Sequence, residues 1–328
     1  MDWGNAFAEG LRAAIGVPAA AYALSAIGLN LQFGYTGLLN FGHVASMAVG
    51  AYGLAITVDL GGPMWLGLII GVMAAIVLAL ILGYPTLRLR ADYLAIVTIA
   101  AGEILRIIVR SPQAAPLTGG VFGIQRFADA FFALNPFPDG RYGFGRLAFS
   151  ERQLWVLVVG WTAVALTTLL MARVIRSPWG RAIRAIREDE DAALSLGKNV
   201  FGYKMQSLII GGVIGALSGM YLAIDQQSVT PDFYVPLLTF YAFTIVIIGG
   251  PGTLAGPILG SMIFWFVFES VDGFMTRIVE AGWTGDVLTM IDVGPLVFVF
   301  FGIGLMLLMI FRPQGILGKR EEMLLDAR

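Results

Sequence analysis

The chain has 328 residues, 58% of them hydrophobic and only 13% charged, with a formal net charge of −1 and a mean hydropathy of +0.81. Charge at about half the share usual in soluble domains cannot cover the surface of a water-soluble protein of this size. With no cysteine and one histidine, disulfides, thiolate chemistry and a multi-histidine metal site are excluded, and no basic tract points to nucleic acid.

The N-terminus opens on Asp2 and Glu9 with Arg12 as its first base. It lacks the basic n-region of a signal peptide, so the first apolar span is expected to stay in the mature protein. A bilayer core of roughly 30 Å asks for about 20 apolar residues per helix. In chain order the candidate spans are 13–32, 38–58, 64–84, 93–109, 153–172, 205–224, 235–248, 254–271 and 290–311. The first two, and the seventh and eighth, are so closely spaced that half-helices fit them as well as full spans. The pattern predicts an all-α polytopic membrane protein of about nine to ten transmembrane helices, one transmembrane domain over 1–328. Gly, 42 of 328 residues, suits helices that pack closely or break.

Within the first stretch, Asn30, Gln32, Thr36, Asn40 and His43 stand among Gly34, Gly37 and Gly42. Irregular polar backbone at membrane depth is tolerated where it lines a cavity or is covered by protein. We expect this stretch to face a translocation pathway; for His43, an ordinary polar position packed in the protein or near the interface is the favoured reading. Gly249, Gly250, Pro251, Gly252 and Thr253 form a second break, with Gly249, Gly252 and Thr253 as further pathway candidates, because paired broken segments flank the path in repeat-built transporters. In the fourth span Glu103 and Arg106 stand at i,i+3 and can pair on one face. A salt bridge that lets the span insert is favoured over a gating contact. Asp225, Gln226, Gln227, Glu269 and Asp272 are placed at the outer interface.

The segment 110–152 holds Pro112, Pro116, Pro136 and Pro138 with six glycines and mixed charge, which reads as an irregular cap with short helical pieces. Arg173, Arg176, Arg181, Arg184, Arg187, Lys198 and Lys204 crowd the loop 173–204. Placing that loop in the cytoplasm puts Arg88 and Arg90, and the tail 312–328 with Arg312, Lys319 and Arg320, on the same side. The cap, with Arg126, Arg141 and Arg146 against Asp129, Asp139 and Glu151, then falls outside. Inside the loop, Ser177 and Pro178 start a short helix, and Arg181, Arg184 and Arg187 share one face. The acids Glu188, Asp189, Glu190 and Asp191 open a second helix, where the dipole favours negative charge. Gly197 is expected to end it.

Asp191, Ala192 and Ala193, followed three residues later by Gly197, resemble the acidic-Ala-Ala-x-x-x-Gly loop of ABC importer permeases, with Asp where Glu is commoner. By that resemblance Asp191, Ala192, Ala193 and Gly197, with Arg184, Arg187 and Glu188 beside them, form the coupling helix on an ATPase subunit. GLNLQFGYTGLLNFGH at 28–43, LRLRADYLAIVT at 87–98, TGGVFGI at 118–124, GGPGTLAGPI at 249–258 and FRPQGIL at 311–317 are together similar to the branched-chain amino acid permeases of the LivM type. The resemblance implies a type II ABC importer-like fold in a bacterial cytoplasmic (inner) membrane. It also implies two ABC ATPase subunits, a second homologous permease and an extracytoplasmic binding protein. Leu, Ile and Val are the implied substrates, with urea, amides or other amino acids as alternatives. The chain has no Gly-x-x-x-x-Gly-Lys-Ser/Thr motif, so no cofactor is expected on it; ATP and magnesium are expected on the partner ATPases. An ion-coupled transporter would need a buried carboxylate, for which Glu103 is the candidate. An enzyme finds no support, since no paired carboxylates, histidine cluster or activated nucleophile is present.

Overall fold

A computed structural model describes residues 3–87, 91–143, 145, 148–282 and 289–318. Asp2, Arg88, Arg90, Arg146, Lys319 and Arg320, used above for charge placement, lie outside the described residues.

The chain is helical almost throughout. It begins with α1 (Trp3–Ala14), α2 (Val17–Asn30), a π-helical turn at Leu31–Tyr35, α3 (His43–Asp59), α4 (Met64–Thr86) and α5 (Ala91–Arg110). Two short helices, α6 (Ala115–Thr118) and α7 (Asp129–Ala133), precede the long α8 (Glu151–Arg176). Then come α9 (Pro178–Glu188), α10 (Glu190–Ser195), α11 (Val200–Gln226), α12 (Leu237–Gly249), α13 (Gly256–Glu280) and α14 (Met290–Phe311). Each of the nine expected spans falls on one of these helices. By length and composition α4, α8, α11, α13 and α14 can cross a membrane, and α1–α2 make a sixth span if the pair, bent by 44°, counts as one. The others are shorter or more charged: α3 has 17 residues, α12 has 13, and α5 carries Glu103, Arg106 and Arg110. Helix α1 was not expected; it packs along α13, and Gly16 starts α2 after the bend.

Among the five single-helix spans α11 is the most enclosed, 78% buried over its apolar window, whereas α14 is 11% buried. Small residues set this difference. Gly211, Gly215 and Gly219 recur every four residues along one side of α11, and a methyl group on Gly219 would stand 2.0 Å from the Met47 carbonyl oxygen. Backbone therefore touches backbone, which is how helices gain contact in a solvent as apolar as their side chains. The exposed faces of α4 and α14 are mostly Leu, Ile, Val, Met and Phe, with Trp65 and Tyr84 towards the ends of α4, which suits lipid.

Between α5 and α8 the described residues are irregular, with short helical pieces. They include α6, α7 and the two-residue strands β1 (Ile124–Gln125), β2 (Arg141–Tyr142) and β3 (Phe149–Ser150). Strands β2 and β3 pair with each other, while β1 pairs antiparallel with β4 (Ser228–Val229), just after α11. Gly123 explains the TGGVFGI motif. It has φ +66°, and any Cβ there would meet the Val229 carbonyl oxygen at 1.9 Å.

Candidate functional site

The loop between α8 and α11 is built as a rigid knob. Ser177 caps α9 by accepting from the Gly180 N–H, with Pro178 in the first turn. Ile183 and Ile186 are buried while Arg181, Arg184 and Arg187 stay exposed, the one-sided pattern that the three-residue spacing predicts. Asp189 caps α10 by accepting from the Ala192 N–H at 2.9 Å. At the far end Gly197 (φ +72°) donates to Leu194 and Lys198 donates to Ala193, so α10 ends in a Schellman motif. Glu190 pairs with Lys204 of α11.

One expectation for this loop is corrected. Ala193 does not face outward: it is buried against Ile186 and Val200, because a helix this short needs one apolar residue to hold it on the body. Asp191, Ala192 and Gly197 are exposed, as is Glu188. The outward apolar surface belongs to Leu194 and Leu196, 52% and 80% exposed, which sequence reasoning passed over.

The loop reaches the first break directly. The Arg184 guanidinium lies 5.4 Å above the Tyr35 ring, and Arg187 Nη1 donates to the Gly34 carbonyl. In that break Asn30, Gln32, Thr36, Asn40 and His43 are all buried. Gln32 donates to the Leu208 carbonyl at 3.1 Å and accepts from Asn40 at 3.0 Å. Thr36 Oγ1 lies 2.9 Å from the Leu31 carbonyl and 2.7 Å from Ser207 Oγ. Asn30, Gln32, Thr36 and Asn40 are thus covered by protein and satisfied within it, the second way in which broken backbone survives at membrane depth. His43 is fully enclosed, and its two nitrogens have no hydrogen-bond partner among the described residues.

The second break is joined to the first. Asn30 Nδ2 donates to the Thr253 carbonyl at 2.8 Å, and its Oδ1 accepts from the Gly252 N–H at 2.9 Å. Thr253 Oγ1 donates to the Gly250 carbonyl at 2.7 Å and accepts from the Gly256 N–H at 3.1 Å, closing the turn. Gly249 is buried; Gly252 and Thr253 are half-buried. The FRPQGIL motif ends here too: Ile316 and Leu317 donate to the Ile248 and Gly249 carbonyls at 2.9 and 3.1 Å, capping the C-terminus of α12.

Elsewhere, Glu103 and Arg106 do pair, with Arg106 Nε 3.0 Å from both carboxylate oxygens. Asp232, beyond β4, completes the cluster by accepting from Arg106 and Arg110 at 3.0 Å. A carboxylate already held by a guanidinium is a poor ion-coupling site. Asp225 and Glu269 border a cavity of about 400 Å³ that Glu9, Arg12 and Gln153 also line.

A family profile described as "Branched-chain amino acid transport system / permease component" matches residues 12–310. The chain belongs to this family. It is a multi-pass membrane protein and a transport subunit rather than an enzyme. Its relatives include the high-affinity branched-chain amino acid transport system permease protein LivM of Escherichia coli, 31% identical over 90% of this chain and 67% of the relative. A probable LivM of Methanocaldococcus jannaschii is 26% identical over 91% of both chains. The E. coli permease LivH is 28% identical over 74% of this chain and 79% of its own length.

Proposed function

We propose that this chain is the LivM-type permease subunit of an ATP-driven importer of branched-chain amino acids in a bacterial cytoplasmic membrane. Two ABC ATPases carrying ATP and magnesium, a second, LivH-like permease and an extracytoplasmic binding protein complete the assembly. The observation that carries this reading is the capped α9–α10 knob, set between two long spans and seated on the backbone of the first break. Asp191, Ala192, Leu194, Leu196 and Gly197 form its outward surface, which suits a groove on an ATPase. Arg184, Arg187 and Ala193 fix its attitude, with Glu188 exposed beside them. The arginine-rich side is cytoplasmic, and the β1–β4 cap, with 110–152, is extracytoplasmic. The binding protein does the selecting, so the permease needs no tight substrate pocket.

In this reading Asn30, Gln32, Thr36, Asn40, His43, Gly249, Gly252 and Thr253 line or border the path as a pair of linked breaks, and they pass substrate when the bundle rocks open. The test is radiolabelled leucine uptake into proteoliposomes holding the full assembly. Uptake should need internal ATP and external binding protein, and isoleucine and valine should compete. Uptake driven by an ion gradient without ATP would refute the importer reading. Competition by urea or a nucleoside, with none by isoleucine, would refute the substrate.

A further inference from the structure

Arg187 occupies an unusual seat. Its Nη1 donates to the carbonyl of Gly34 in the π turn. Its Cγ lies 3.3 Å from where a Cβ would stand on Gly37, and its Nη1 lies 3.2 Å from the same position on Gly252. Gly34 is itself closed in, since a Cβ there would meet Asn30 Oδ1 at 2.0 Å and the Gly252 nitrogen at 2.5 Å. Gly37 and Gly252, one from each break, thus leave room beside the Gly34 carbonyl that a side chain would take, and Arg187 of α9, though exposed overall, reaches into it.

The apolar contacts of Ile183 and Ile186 let α9 slide, because dispersion and burial have no direction. A charge-assisted hydrogen bond to a backbone carbonyl is directional and drags the backbone with it. From Gly34 the pull passes to Asn30, whose amide holds both Gly252 and Thr253. The tail at Ile316 and Leu317 rests on the same turn. Loop helix, π turn, α12–α13 turn and tail therefore meet at a single node.

We propose that Arg187 is the positioning residue that transmits displacement of α9 to both breaks, so that α2 and the α12–α13 turn move together when the ATPases close. This rests on the importer reading above. Lysine keeps the charge but lacks the planar fork of donors, so it should not substitute.

The experiment measures leucine uptake and ATP hydrolysis in the same proteoliposomes for the parental assembly, Arg187→Ala, Arg187→Lys and, as a charge-loss control on α8, Arg173→Ala. Uptake per ATP hydrolysed should fall roughly tenfold or more in both Arg187 variants, the scale of losing one hydrogen bond to a charged group. The ATPases should still co-purify at the parental ratio, and Arg173→Ala should keep the parental uptake per ATP. A ratio within about twofold of parental in either Arg187 variant would overturn the proposal. So would loss of the ATPases from Arg187→Ala, which would make Arg187 an assembly contact. Failure of the importer reading would look different, because the parental assembly itself would show no ATP-dependent uptake.

Discussion

Asn30 offers the sharpest test of how the two breaks are joined. Its amide is buried and spans 222 residues of chain to bind the Gly252 N–H at 2.9 Å while donating to Thr253 at 2.8 Å. Asn30→Ala leaves one donor and one acceptor unpaired, at about 1–3 kcal/mol each when buried. Gly252 and Thr253 are half-buried, so water recovers part of this, and about 2–3 kcal/mol in all is expected. Asn30→Asp keeps the size and the acceptor for Gly252 but turns an oxygen toward the Thr253 carbonyl and buries a charge, so it should cost more than the alanine. The assay is tryptophan-fluorescence melting of the purified chain in detergent at one heating rate, since large membrane proteins unfold irreversibly. At roughly 2 °C per kcal/mol, Asn30→Ala should melt about 4–6 °C lower and Asn30→Asp lower still. If Asn30→Asp melts with the parent at neutral pH, the breaks are not held by this amide.

Two further substitutions separate packing from charge. Gly219→Ala puts a methyl group against the Met47 carbonyl; because the obstacle is backbone, destabilisation of about 3 kcal/mol is expected, and a parental melting temperature would refute close α3–α11 contact. Arg106→Ala should cost less than about 1 kcal/mol, because Asp232 keeps Arg110 and both carboxylates are substantially exposed. Melts at low and high salt would expose a larger role, and a loss beyond that of Gly219→Ala would refute the minor assignment.

What could be read from sequence was what repeats locally. Hydropathy placed nine helices because apolar burial acts residue by residue, and the capping signals at Ser177 and Gly197 act within one turn. The first break was visible as polarity among glycines, yet its role was ambiguous. Gln32 and Thr36 find their partners at Leu208 and Ser207, and no local pattern announces an acceptor that far along the chain. Asp232 was missed for the same reason, standing 126 residues from Arg106. Helix α1 was passed over because it has only 12 residues and carries Glu9 and Arg12.

The α9–α10 loop shows why a motif can be legible in sequence while the surface it presents is not. Of its sequence, Asp189 satisfies the first amides of α10, Ala193 is the contact that seats it, and Gly197 takes the left-handed turn that ends it. Those are demands of shape, and they hold whatever partner lies opposite. The residues left facing outward, Leu194 and Leu196 above all, are free of them and can vary to match a particular groove. A pattern built from cap, small residue and glycine therefore identifies the knob, while its outward surface is made by side chains that the pattern does not specify. On the inner side the same logic runs through Arg187, whose contact is to backbone and so depends on three glycines rather than on any partner side chain.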